Sequence, residues 1–142
     1  MAIHVKAVSK KAAAIALFCK GSILLGRRIE FYKGKKVPFG GHWSLFGGCI
    51  EHGETSLSAA IREMKEETGI KIEGNPIFIR KYKTYNKYDF WAYALSIDYL
   101  PKVKINFEHD EYGFFSTNNL PQPMDAQIKK NIKLSLSKIR CI

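Results

Sequence analysis

The chain has 142 residues, of which 46% are hydrophobic and 25% are charged, and its formal net charge is +10 at pH 7. This length and composition are typical of one globular domain, so we treat residues 1–142 as a single unit. Cys19, Cys49 and Cys141 are far apart and form no Cys-x-x-Cys pair, which argues against a disulfide framework or a zinc site and fits a reducing cytosol. No stretch approaches the ~18 apolar residues that a membrane span needs.

The positive charge favours a polyanionic partner. Basic residues are spread along the chain, and only the segment after Asp125 is purely basic. A small polyanion such as a nucleotide fits better than duplex nucleic acid, because no helix-turn-helix, RNA-recognition or zinc-finger signature is present. The basic C-terminal segment leaves an RNA end open as an alternative partner, and simple solubility is a third explanation of the charge.

The N-terminal part of the chain predicts a β-hairpin. Residues 12–19 form an apolar run that reads as one strand, Lys20-Gly21 as the turn, and residues 22–28 as the next strand. Lysines ahead of the run make it faintly similar to a signal peptide. The run is short for that purpose and lacks a small-x-small cleavage site.

The next segment is basic and rich in turn formers. Two interpretations stay open: a flexible surface loop, or a cationic flap beside a phosphate-bearing ligand. A short strand at 43–46 then leads into Gly47 and Gly48, where the missing side chains allow close backbone approach. The basic residues that frame the loop are Arg27, Arg28, Lys33, Lys35 and Lys36.

A helix is predicted between Thr55 or Ser56, which can cap its start, and Gly69, which supplies a left-handed stop. Leu57, Ile61 and Met64 share one arc of that helix and predict a core-facing side.

Three carboxylates lie on a different arc of the same helix. Glu63, Glu66 and Glu67 are spaced i, i+3 and i+4, so they are neighbours on the helix surface. Like charges at this spacing repel by a few tenths of a kcal/mol. A hard divalent cation with oxygen ligands is the simplest way to offset that repulsion.

The C-terminal half alternates β-like and helical patterns. Residues 71–84 and 87–98 predict two long strands joined at Asn86, and 103–107 and 112–115 predict two further strands. A last helix is predicted from Met124 or Asp125 to about Arg140. Its apolar stripe consists of Ile128, Ile132, Leu136 and Ile139.

The segment from Gly48 to Ile70 has a known spacing. It reads Gly, five residues, Glu, seven residues, then Arg-Glu-apolar-x-Glu-Glu-x-Gly-apolar. With seven fixed identities, a chance match is on the order of 10⁻⁸ per starting point. By this motif the chain resembles the Nudix hydrolases. The resemblance implies an α/β fold, an α/β/α sandwich with a mixed sheet.

The resemblance also implies an activity, the cleavage of a pyrophosphate linkage in a nucleoside diphosphate joined to another group. Canonical or oxidised (d)NTPs are the favoured substrates, on the basis of the compact size. ADP-ribose-like nucleotide sugars, dinucleoside polyphosphates and RNA 5′ ends stay open, as does a non-catalytic nucleotide sensor. We further expect a cytoplasmic protein with no membrane association, and a homodimer is the oligomeric state that family members often show.

Site residues carry over from the motif by position. Glu63, Glu66 and Glu67 resemble the Mg²⁺-binding carboxylates, joined by the carbonyl of Gly48, and Mn²⁺ is the substitute ion. Glu54 and Arg62 resemble an internal ion pair that fixes the loop on the helix. Arg62 is therefore expected to be structural.

A further acid or base is expected from the later loop at 106–113. Glu111, or Glu108, resembles an additional metal carboxylate and the general base. His109 is the alternative, because the GDP-sugar branch of the family uses a loop histidine. The intact motif favours a glutamate, and the plain interpretation of His109 is an exposed loop residue. Glu108 and His109, with Arg27 and Arg28, are also candidates for contacts with the substrate.

Four aromatic residues could stack a nucleobase, although aromatics in central strands more often belong to the core. They are Tyr82, Tyr85, Phe90 and Trp91.

Overall fold

The computed structural model describes residues 10–140, so Cys141 lies outside the described part. The strands are β1 (Lys11–Cys19), β2 (Ser22–Arg28), β3 (Phe31–Tyr32), β4 (Lys35–Lys36), β5 (Trp43–Ser44), β6 (Phe46–Cys49), β7 (Ile77–Lys83), β8 (Asp89–Ile97) and β9 (His109–Phe115). The helices are α1 (Ser56–Thr68) and α2 (Ala126–Arg140).

The main sheet is mixed and is built around β1. Strand β1 runs parallel to β8 and antiparallel to β2 and β6. The strand order is β5-β2-β1-β8-β7, with β9 paired to β2. The mixed sheet and the hairpin of β1 and β2 confirm the sequence-based predictions.

The two helices cover opposite faces of this sheet. Ile15, Leu17 and Met64 belong to a cluster under α1, while Ala14, Ala16 and Ile128 belong to a cluster under α2. Both faces of β1 are therefore buried, which explains why its sequence is a continuous apolar run rather than an alternating pattern. The result is the predicted α/β/α sandwich. No helix within residues 10–140 is long and apolar enough to span a membrane.

Two predicted strands are wrong in extent or type. The strand expected at 71–84 begins only at Ile77, because Gly74 adopts a φ of 105° and Pro76 follows it. The segment at 103–107 is not a strand. Its backbone bonds the end of α1 instead, with Lys104 N donating to the Thr68 carbonyl at 2.9 Å.

Three smaller differences separate the predicted elements from the observed ones. The strand expected at 43–46 is divided by Leu45 into β5 and β6, which pair with different neighbours. The basic loop forms a small hairpin of β3 and β4. Strand β9 begins at His109, three residues before the predicted start, so the expected loop at 106–113 is mostly strand.

Candidate functional site

Helix α1 is fixed at both ends by local hydrogen bonds. Thr55 and Ser58 form a reciprocal capping box at the start, and Gly69 closes the helix with a φ of 77°. Met64 is buried against the sheet. The helix is therefore a rigid support for the side chains on its other arc.

Arg62 holds the preceding loop on the helix. Its Nε donates to Glu54 Oε2 at 2.6 Å and its Nη2 to Glu54 Oε1 at 3.0 Å, a bidentate pair. The same Nη2 donates to the Cys49 carbonyl at 3.0 Å. The hydrogen bond from Arg62 lowers the pKa of Glu54. The structure thus brings together the two residues that the motif pairs.

Arg62 also reaches two of the three helix carboxylates. Its Nη1 donates to Glu63 Oε1 at 2.9 Å and to Glu66 Oε1 at 3.1 Å. The two acids differ in setting, because the Glu66 side chain is 52% exposed and Glu63 only 13%. Burial raises the pKa of Glu63, and the nearby Arg62 opposes that effect.

Glu67 is the unusual carboxylate of the face. It is 1% exposed, and its Oε1 accepts a hydrogen bond from Gly47 N at 2.8 Å. Its Oε2 is buried and has no hydrogen-bond partner within the described chain. Burial, followed by the charges of Glu108 and Glu63, raises the pKa of Glu67 to about 9. With this pKa, the Glu67 carboxyl group of the folded protein is protonated at neutral pH.

The two glycines of the motif have different spatial roles. A Cβ at Gly47 would collide with the backbone of Ala13 and Ala14, so Gly47 allows β6 to lie against β1. A Cβ at Gly48 would collide with the carboxylate of Glu63. Gly48 therefore leaves room for that carboxylate at the start of the loop.

The two candidate glutamates of the later acidic segment, Glu108 and Glu111, lie in different places. Glu108 lies close enough to α1 for its charge to raise the pKa values of Glu63 and Glu67. Glu111 instead forms an ion pair with Arg27 at 3.5 Å. A Cβ on the neighbouring Gly26 would meet Phe46, so position 26 faces the α1 side of the sheet. Because side chains alternate along a strand, Arg27 and its cross-strand partner Glu111 point to the other face.

His109 is not an exposed loop residue, and that prediction is wrong. It is 5% exposed at the start of β9, with its ring 4.7 Å from the Phe46 ring. Burial, then the charge of Arg28, lowers the pKa of His109 to about 4. The imidazole is therefore neutral at pH 7 and a weak base.

A cavity of about 510 Å³ opens beside the carboxylate face of α1, which consists of Glu63, Glu66 and Glu67. This volume is typical of a small-molecule site. Gly47, Gly48, Glu63 and Glu108 line one end. Arg28 also lines it, and Arg28 Nε is buried without a hydrogen-bond partner in residues 10–140. Arg28 as a whole is half-buried, and a guanidinium with a free donor can bind a phosphate oxygen.

The other end of the cavity is aromatic and polar. Of the four proposed stacking residues, Tyr82, Tyr85 and Phe90 line the cavity. Trp91 packs with the cluster under α1 and contacts Lys81. Sequence reasoning missed several lining residues, because their positions become adjacent only in the folded sheet and α2. They are Pro38, Phe39, His42, Trp43, Asp125 and Gln127.

The donor set fits a hard divalent cation. In residues 10–140, no three His, Cys, Asp or Glu side chains already converge on a metal position. Glu63 and Glu66 are held by Arg62 instead. The unpartnered Oε2 of Glu67, crowded by Glu63 and Glu108, belongs to a carboxyl group that is neutral at pH 7 because it is protonated, and a cation can take the place of that proton. Oxygen ligands of this kind suit Mg²⁺.

The chain is similar to known proteins along most of its length. A family model described as "NUDIX domain" matches residues 9–135. An ADP-ribose pyrophosphatase of Methanocaldococcus jannaschii is 34% identical over 112 residues, covering 75% of this chain and 65% of that protein. An RNA pyrophosphohydrolase of Bartonella clarridgeiae is 33% identical over 122 residues, covering 82% of this chain and 69% of that protein. This chain thus spans about two thirds of either relative.

A solved structure has the same fold. The MutT NUDIX hydrolase from Burkholderia pseudomallei superposes with a TM-score of 0.70 at 24% identity, covering 87% of this chain and 95% of that one.

Proposed function

Because the chain belongs to the Nudix family, we propose that it is a metal-dependent pyrophosphohydrolase of nucleoside diphosphate derivatives. The observation that carries this proposal is the buried, unpartnered Oε2 of Glu67 among other carboxylates, beside a cavity lined by Arg28. A non-catalytic sensor would have no need of such a costly arrangement of charge.

Mg²⁺ is the proposed ion, with Mn²⁺ as its substitute. Glu63, Glu66 and Glu67 would hold it, together with the carbonyl of Gly48. When bound, the ion neutralises phosphate oxygens and lowers the pKa of a bound water. Arg62 keeps the loop that follows Gly48 fixed on the helix.

Two residues near the ion complete the proposed chemistry. Arg28 binds a phosphate oxygen through its free, buried Nε. Glu108 accepts the proton of the attacking water, because it lies beside Glu63 in the cavity. Glu111, the other candidate, pairs with Arg27 on the other face of the sheet.

We propose (d)NTPs, canonical or oxidised, as the substrates. A cavity of about 510 Å³ can hold a nucleoside and its phosphates. A 5′-triphosphorylated RNA end is the second candidate. It is favoured by the exposed basic residues of α2, the helix that also carries the cavity-lining Gln127: Lys129, Lys130, Lys133 and Arg140.

A phosphate-release screen tests the proposal. The panel contains the dNTPs, 8-oxo-dGTP, ADP-ribose, a dinucleoside tetraphosphate and a triphosphorylated RNA oligonucleotide. Each is assayed with Mg²⁺ or with a chelator, and coupled to inorganic pyrophosphatase or to alkaline phosphatase. We expect Mg²⁺-dependent release of pyrophosphate from a nucleoside triphosphate. Binding of nucleotides without turnover of any panel member would contradict the proposal and support a sensor.

A further inference from the structure

A polar network joins β7 to α2 at the aromatic end of the cavity. Arg80 and Tyr82 are two apart on β7, and Gln127 and Asn131 are four apart on α2, so each pair faces the other element. Arg80 Nε donates to Asn131 Oδ1 at 2.7 Å, and its Nη2 donates to Gln127 Oε1 at 2.7 Å. The Arg80 guanidinium also lies 3.8 Å from the centre of the Tyr82 ring.

The network fixes the orientation of a buried amide. Asn131 is fully buried, and Arg80 can only donate hydrogen bonds. The atom of Asn131 that faces Arg80 must therefore be its oxygen. Its Nδ2, which can only donate, then faces the Tyr82 hydroxyl at 3.0 Å.

The orientation of Asn131 in turn decides whether the Tyr82 hydroxyl donates or accepts their shared hydrogen bond. Because the amide donates, the Tyr82 oxygen must accept, and its own proton must point elsewhere. Among residues 10–140, the Tyr82 hydroxyl makes no hydrogen bond besides the one from Asn131. Tyr82 lines the cavity, so its proton is available to a molecule bound there.

An acceptor and a stacking surface line the same cavity as this donor. Asp125 lines the same cavity, and its Oδ2 accepts from Gln127 N at 3.1 Å, which orients the carboxylate. Burial raises the pKa of Tyr82, the hydrogen bond with Asn131 and the charge of Arg80 oppose that rise, and the charge of Asp125 adds to it. Phe90 also lines the cavity, with its ring 5.3 Å from that of Tyr82.

We propose that Tyr82, as a fixed donor, and Asp125, as an acceptor, read a lactam edge on the nucleobase. In such an edge a carbonyl lies beside a ring N–H, as in guanine, hypoxanthine, uracil and thymine. The carbonyl accepts from Tyr82, and the N–H donates to Asp125. Adenine and cytosine lack this edge. The inference rests on the proposed function only in taking a nucleotide as the ligand.

Calorimetric binding of two monophosphates tests the inference without any turnover. Inosine 5′-monophosphate carries the lactam edge, and purine riboside 5′-monophosphate lacks its carbonyl and N–H. We expect the wild-type protein to bind the inosine nucleotide about 10-fold more tightly, which is the typical effect of one or two hydrogen bonds. Tyr82→Phe should reduce that preference to below about 3-fold. Tyr99→Phe, which removes a hydroxyl outside the cavity, should retain it.

Asn131→Asp reverses the direction of the hydrogen bond with Tyr82 while keeping every hydroxyl group. The new carboxylate would accept from both Arg80 and Tyr82, so the Tyr82 proton would no longer be available to a ligand. We expect this variant to lose the preference as Tyr82→Phe does. A merely space-filling hydroxyl would leave the preference unchanged in Asn131→Asp.

The inference and the proposed function can fail separately. Equal binding of the two monophosphates by the wild type, binding of neither, or a preference that persists in Tyr82→Phe would overturn the inference. Preferential binding of the inosine nucleotide by a protein that hydrolyses no member of the nucleotide panel would support the inference and contradict the proposed function.

Discussion

The two ends of the cavity hold their buried polar groups in opposite ways. At the α1 end, Glu67 is buried with one carboxylate oxygen unpartnered, and its pKa is raised to about 9. At the α2 end, Asn131 is equally buried, but both its oxygen and its nitrogen are hydrogen-bonded. The first end keeps a carboxyl oxygen that a cation can bind, whereas the second end holds its buried amide fully hydrogen-bonded without a ligand.

This difference separates two kinds of recognition. An incomplete carboxylate face stores a desolvation cost that a bound cation relieves, so it favours chemistry on charged phosphates. A satisfied network is rigid in advance and favours discrimination by shape and hydrogen bonding. We therefore expect changes at the α1 end to act mainly on turnover, and changes at the α2 end mainly on binding.

The largest effect is expected from the helix carboxylates. Glu67→Gln and Glu66→Gln each remove one ligand charge, so each should lower kcat by at least about 100-fold while the fold persists. Glu73→Gln, at an exposed glutamate after the helix, is the matched control and should be near wild type. Wild-type turnover in both helix variants, measured with the nucleotide that the screen selects, would refute the assignment of this face.

The next effect concerns the general base. Glu108→Gln should lower kcat about 10- to 100-fold with little change in KM, because a base acts in the transition state. Glu111→Gln should change kcat by less than about 3-fold, since Glu111 pairs with Arg27 instead. If the Glu111 variant is the impaired one, the proton acceptor has been placed on the wrong side of the sheet.

Much of the α1 end could be predicted from sequence, because it is local. Glu54 and Arg62 are eight residues apart, and helix geometry alone places Glu63 beside Glu67. The exception is the burial of Glu67, which depends on β6 and on the segment near Glu108 folding over it. No spacing in the sequence reports that desolvation.

The α2 end could not be predicted in the same way. Arg80 and Asn131 are 51 residues apart, and their contact needs β7 to lie under α2. His109 failed for a related reason: its polar neighbours in sequence suggested a loop, but pairing of β9 with β2 carries it into the core. Tertiary pairing decided both cases.

A smaller effect on both stability and activity is expected from Arg62→Ala. Its loss would leave Glu54 partly buried and unpaired, and would release the loop that follows Gly48. We expect the free energy of unfolding to fall by about 2 kcal/mol, less than for a fully buried pair. Denaturant unfolding measures this change. An unaltered midpoint together with normal turnover would show that the pair has no supporting role.

The pH dependence of stability gives the most local test, because it follows a single carboxyl group. In the presence of a chelator, Glu67 binds a proton more tightly in the folded protein than in the unfolded chain. Its pKa is about 9 in the folded protein, against about 4.3 in the unfolded chain. Its contribution to stability is therefore complete below about pH 4 and is lost as the pH rises towards 9. The difference in melting temperature between Glu67→Gln and the wild type should shift in favour of the variant between pH 6 and 9. A difference that is constant with pH would contradict this.

The most direct test of the central claim is a calorimetric titration of Mn²⁺ into the metal-free protein at pH 7. Buffers with different ionisation enthalpies reveal how many protons leave on binding. Because Glu67 is protonated at this pH and must ionise to bind a cation, we expect release approaching one proton per ion. Glu67→Gln should bind more weakly and release almost none. Wild-type affinity in Glu67→Gln, or metal binding without proton release in the wild type, would contradict the account.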